Sequence, residues 1–192
     1  NTGNMDFTEA ITENTLRAIR FQKPDYIPMT FWINPACWHH YPQSALQDLM
    51  EAHPLLFPDF RRSHDPIQPQ LLPYARAGVP FTDPWGCVWA TAADGITGSV
   101  HKHPLADWSA LDTYDPPSPL LDDTWGPRDW SQVRRTLEAT KSHGNLTTGP
   151  DLMHGFMYMR LFYLRGFENL MMDLASDEPR LNAVIPMVED YN

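Results

Sequence analysis

Tyr26-Ile27-Pro28-Met29-Thr30-Phe31-Trp32-Ile33 is a run of eight residues without a charge, introduced by Lys23-Pro24-Asp25. Its apolar density reads as a β-strand buried on both faces, with Pro28 tolerated near its start. Working outward, Ile11, Thr15, Ala18 and Ile19 mark one face of a helix from about Thr8 to Phe21. Pro24 stops that helix, because proline lacks the N–H that would continue the ladder and disfavours helix in the residue before it. After the strand comes a loop, Asn34 to Tyr41, and then a short helix from Gln43 to His53 with Leu46, Leu49 and Met50 inward. From 54 to 80 the pattern is weak, with a short strand near 57–62 and a helical turn over 71–77.

The clearest local signal is a hairpin: strand-like Trp85 to Ala92 and Ile96 to His103, joined by Ala93-Asp94-Gly95. A short helical segment follows at 105–114, then an exposed loop through Pro116, Pro117, Pro119 and Asp122-Asp123. Asp129 or Ser131 caps a helix to about His143. Asn145 to Thr148 reads as a short strand, and three helices at about 151–164, 166–175 and 177–191 end the chain. Strands alternating with helices predict an α/β fold with a parallel sheet and an inserted hairpin. Only three or four core strands can be found, too few for a closed barrel of eight.

Composition sets the class. The 192 residues carry 14 Lys+Arg against 24 Asp+Glu, a net charge of −10. No basic stripe exists to neutralise phosphates, so nucleic acid is not an expected partner. No apolar run approaches the ~18 residues of a membrane span, no leader opens the chain, and two cysteines, Cys37 and Cys87, make no disulfide framework. A cytoplasmic protein is expected. Sixteen of the 19 prolines fall between Pro24 and Pro127, and all seven tryptophans lie at or before Trp130. Large aromatics need something to pack against, so this stretch is read as elaborated loops of one domain over 1–192 rather than as a linker.

Three groups of residues carry a family resemblance. Thr15-Leu16-Arg17-Ala18 followed by Lys23-Pro24-Asp25-Tyr26-Ile27-Pro28 resembles the opening of the uroporphyrinogen decarboxylase superfamily. Asp83-Pro84-Trp85-Gly86-Cys87-Val88-Trp89, with Pro104-Leu105-Ala106-Asp107-Trp108 and Leu111, is similar to the branch that includes cobamide-dependent methyltransferases. Arg165-Gly166-Phe167-Glu168-Asn169-Leu170 with Asp173-Leu174 resembles a helix of that branch. The resemblance covers about residues 12–192 and implies the N-terminal half of a (βα)8 TIM-type barrel, with the hairpin near 85–103 inserted. It implies a methyltransferase-type enzyme moving a methyl group between a small substrate or thiol and a corrinoid protein. It also implies a zinc ion whose ligands lie outside this chain, and a missing C-terminal half or another chain completing the barrel.

In such a barrel the site lies at the C-terminal ends of the strands. The resemblance therefore places substrate contacts at Asn34, Trp38 and His39, around Asp83 and Trp85, and at Asp151 and His154. Asp83 and His154 are the catalytic candidates. Asp83 falls near an aspartate that holds pyrrole nitrogens in the decarboxylase, but it can equally form an Asx turn before Pro84. His154 is of the type best suited to proton transfer, and Asp151 beside it is also at home as a helix cap. Neither Cys37-x-His39-His40 nor His101-x-His103 offers a full tetrahedral ligand set, so both are read as surface or hydrogen-bonded side chains in preference to a metal site. Two alternatives stay open: decarboxylation of a carboxylated small molecule, and a non-catalytic binding or assembly subunit. Uroporphyrinogen itself is disfavoured, because residues 24–60 contain no Arg or Lys to hold its carboxylates.

Overall fold

The computed structural model describes residues 3–29, 31–122, 125–143, 146–147 and 156–192. The chain mixes helix with a small sheet and divides into two compact units, each assembled from three separate segments.

The first unit comprises Asn1–Ile33, Tyr41–Ile67 and Asp129–Pro150. It contains α1 (Gly3–Ile19), α3 (Gln43–Ala52) and α4 (Trp130–Ser142), whereas α2 (Pro35–His40) belongs to the second unit. Helix α1 closes through a Gln22 N–H to Arg17 carbonyl bond of 2.8 Å, with Phe21 left-handed at φ 56°. Polar clamps then fix the chain that follows. The Asn14 side chain donates to the Tyr26 carbonyl (3.0 Å) and accepts from the Asp25 N–H (2.7 Å), while Arg17 pairs with Asp25 at 3.2 Å. Helix α3 does the same for its own partner segment. Gln43 both donates to and accepts from the Ile67 backbone at 2.8 Å, and Gln47 accepts from the Ser63 N–H at 2.8 Å. The buried residue of α3 is therefore Gln47, whereas Leu49, expected inward, is exposed. On α4, Asp129, one of the two caps expected, accepts the Gln132 N–H at 3.0 Å.

The expected strand at 26–33 is not formed: its described residues lie in no sheet, and Ile27 and Trp32 are 75% and 71% exposed. Residues 57–62 form no strand either, nor do Leu146 and Thr147; the rest of the strand expected at 145–148 falls outside the described residues. A strand needs a neighbour to take its backbone N–H and C=O groups, and these segments have none among the described residues.

The second unit comprises Asn34–His40, Gln68–Arg128 and Asp151–Asn192. The loop expected at 34–41 holds a short helix, α2 (Pro35–His40). The predicted hairpin is present and gains a strand. β1 (Phe81–Thr82), β2 (Val88–Ala90) and β3 (Ser99–Lys102) form an antiparallel sheet in the order β1-β2-β3. The register runs Trp89 opposite Val100 and Val88 opposite Lys102, so β3 bulges at His101. No parallel strand pair occurs among the described residues, so the parallel sheet predicted from sequence is not seen there. Short 3-10 turns at Pro73–Ala75 and Trp108–Thr113 match the helical turns read at 71–77 and 105–114. The last three helices are α5 (Tyr158–Arg165), α6 (Phe167–Ala175) and α7 (Leu181–Tyr191).

The core of this unit is Trp85, Cys87, Trp89, Leu105, Leu164, Val184 and Val188, all buried, so the turn between β1 and β2 meets the inner faces of α5 and α7. Leu181, Val184 and Val188 supply α7's apolar stripe at helical spacing.

Gly95 sets the hairpin tip. Its φ is +81°, and a Cβ there would lie 2.3 Å from the Ala36 nitrogen at the start of α2. Gly78 also has positive φ (+72°), but a Cβ there would meet nothing within 4 Å. Gly78→Ala should therefore cost only left-handed strain, ~1–2 kcal/mol. Gly95→Ala adds a collision with backbone that cannot rotate away, for roughly 2–5 kcal/mol in all. Urea unfolding of the two variants measures the difference, and equal losses would mean that α2 does not pack on the hairpin tip.

Candidate functional site

The residues singled out from sequence around Asp83 meet in the second unit. β1 delivers Asp83 into a tight turn closed by Asp83 N–H to Cys87 carbonyl (3.0 Å) and Gly86 N–H to Asp83 carbonyl (2.9 Å), with Gly86 at φ +79°. The carboxylate is fully engaged. Oδ1 accepts from the Cys87 N–H at 2.8 Å; Oδ2 accepts from the Trp89 indole N–H at 2.9 Å and from Arg160 at 3.1 Å. Neither side chain of the Asp83–Arg160 pair is more than 4% exposed. The Asp83 carboxylate is 0% exposed and taken up by these three donors, a geometry that fits the turn-forming role.

Arg160 is the residue that sequence reading missed. It lies on α5 in Tyr158-Met159-Arg160-Leu161-Phe162-Tyr163-Leu164, one turn before the fully buried Leu164. A guanidinium on an apolar helix face needs a carboxylate, because unpaired burial of a charge is too costly. That was the available signal. Its guanidinium also sits 4.8 Å above the Trp85 ring and 5.8 Å from the Tyr163 ring.

Trp85 is core rather than pocket wall. It is 1% exposed, packs edge-on against Tyr191 at 4.8 Å, and its carbonyl accepts from the Tyr114 hydroxyl at 2.8 Å. Its indole N–H is buried without an acceptor among the described residues. Trp89 packs edge-on against Tyr163 and Trp125, and Trp125 stacks on Tyr74 at 3.8 Å.

A second buried ion pair stands beside the first. Arg165 Nε donates to Asp173 Oδ2 at 2.7 Å, and Trp108 Nε1 donates to Asp173 Oδ1 at 3.3 Å. The Arg165 guanidinium covers the Trp108 ring at 3.9 Å and donates to the Leu105 and Ala106 carbonyls. The end of α5 is capped from the hairpin side: His103 Nδ1 donates to the Tyr163 carbonyl (2.8 Å), and the Leu105 N–H donates to the Leu164 carbonyl (2.9 Å). Gly166, at φ +82°, lets the His103 ring approach; a Cβ would lie 3.2 Å from it.

The remaining candidates are more open. Asn34 accepts the Ala36 N–H at 2.8 Å and so caps α2. On that helix Trp38 is half-buried and His39 exposed. Asp151 and His154 lie outside the described residues. The His101/His103 pair is split, His103 serving as the α5 cap while His101 is exposed. No group of three His, Cys, Asp or Glu side chains among the described residues could hold a metal. No described helix is long and apolar enough to cross a membrane.

Comparison with known proteins adds no relative: the chain matches no family model, no curated protein and no solved structure.

Two outcomes follow from this geometry. Asp83→Ala or Arg160→Met alone strands a buried charge and should cost about 3–5 kcal/mol. The double variant should recover a large part of that, giving a coupling above ~1 kcal/mol in a double-mutant cycle of denaturant unfolding. Additive losses would show that the pair is not formed. Cys87, in the same turn, is 0% exposed, and burial first, then the Asp83 charge, push its thiol well above the ordinary range. Such a thiol stays protonated and unreactive. A disulfide-exchange reagent should titrate one thiol in the native protein, the partly exposed Cys37, and two after denaturation. Two reactive thiols in the native state would show that this core is open.

Proposed function

We propose that the chain is the N-terminal half of a (βα)8 barrel of the uroporphyrinogen-decarboxylase type, and that the whole protein transfers a methyl group between a small substrate or thiol and a corrinoid protein. One observation carries the reading. Residues picked for resemblance in two distant stretches, Leu105-Ala106 and Trp108 in one and Arg165, Gly166 and Asp173 in the other, interlock through Arg165. Asp83, Trp85 and Trp89 meet α5 in the same unit. Residues that explain one another structurally are what a shared scaffold requires.

Within this reading the roles divide. Asp83, Trp85 and Arg160 build the scaffold, and Asn34 shapes α2. On α2, His39 is exposed and offers its imidazole as donor or acceptor, and the half-buried Trp38 beside it contributes an apolar ring. Asp151 and His154, just ahead of α5, complete the candidate set. The described residues do not fit a zinc centre, so no step is assigned to a metal here. Absence of Arg and Lys from 24 to 60 and the net charge of −10 favour a small neutral or cationic substrate over a polycarboxylate. Mixing the complete protein with methylcobalamin and a series of thiols should give a thiol-dependent change in corrinoid absorbance, reduced at least tenfold by His39→Ala or His154→Ala. No change with any thiol or methyl donor would overturn methyl transfer and leave decarboxylation as the enzymatic alternative.

The non-catalytic assembly reading draws on a different observation. Among the described residues all eleven buried hydrophobics belong to the second unit, and the first exposes Phe21, Ile27, Trp32 and Leu55 at 71% or more. Such surface needs a cover, and in the half-barrel reading the rest of the barrel supplies it. The isolated 192-residue polypeptide should therefore bind a hydrophobic dye strongly and self-associate. A monomer near 22.0 kDa that melts cooperatively without binding dye would overturn the half-barrel.

A further inference from the structure

No further inference is drawn: the strongest candidate, the half-open apolar cavity of about 530 Å³ lined by Tyr26, Ile27, Met29, Pro54 and Leu55 in the first unit, carries nothing because nothing in the structure shows what covers it.

Discussion

A carboxylate with no access to water holds the second unit together. Asp83 and Arg160 are 77 residues apart in sequence, and their pairing joins the turn between β1 and β2 to the inner face of α5. Burying two charges costs several kcal/mol each before any attraction is counted. The cost is offset only when the remaining hydrogen-bonding capacity is also used. Here it is: Trp89, the Cys87 amide and the guanidinium all converge on one carboxylate, and Trp85 offers its ring face to the cation. The turn's close geometry, the burial of Cys87 and the orientation of Trp89 all depend on that convergence.

The Arg165–Asp173 pair repeats the device at the other end of α5. Helix ends leave carbonyls without partners, and α5 ends inside the unit rather than in solvent. Its last carbonyls are met by the His103 ring, the Leu105 amide and the Gly166 amide, while Arg165 reaches back to the carbonyls of Leu105 and Ala106. Trp108 lies under that guanidinium and shares the same aspartate. The ionised groups are thus paired in the interior, and the seven core residues, Trp85 and Trp89 among them, fill the space between.

The first unit is organised on another principle. Asn14, Gln43 and Gln47 grip neighbouring backbone much as a strand partner would, two bonds at a time in the cases of Asn14 and Gln43. These clamps fix local geometry but remove little apolar surface from water. A net hydrogen bond contributes ~1 kcal/mol, against ~1.5–3 kcal/mol for burying one large apolar side chain. Phe21, Ile27, Trp32 and Leu55 make no such contribution where they stand.

What sequence alone determined was local. The hairpin was legible because Gly95 supplies positive φ between two apolar runs; the cap at Asp129 or Ser131 and the helices expected at about 43–53, 166–175 and 177–191 followed from cap residues and 3.6-residue periodicity. Pairing was beyond it. The run at 26–33 has every local feature of a strand, yet strand formation is a property of two segments, and no neighbour meets it among the described residues. The tertiary structure also decided the fate of the site residues. Asp83 looked equally fit to hold a ligand or a turn, and only the tertiary structure brings Arg160, 77 residues away, onto the carboxylate that Trp89 also reaches across the turn. Gln47 is inward because its side chain accepts the Ser63 amide, while Leu49 is exposed on the same helix.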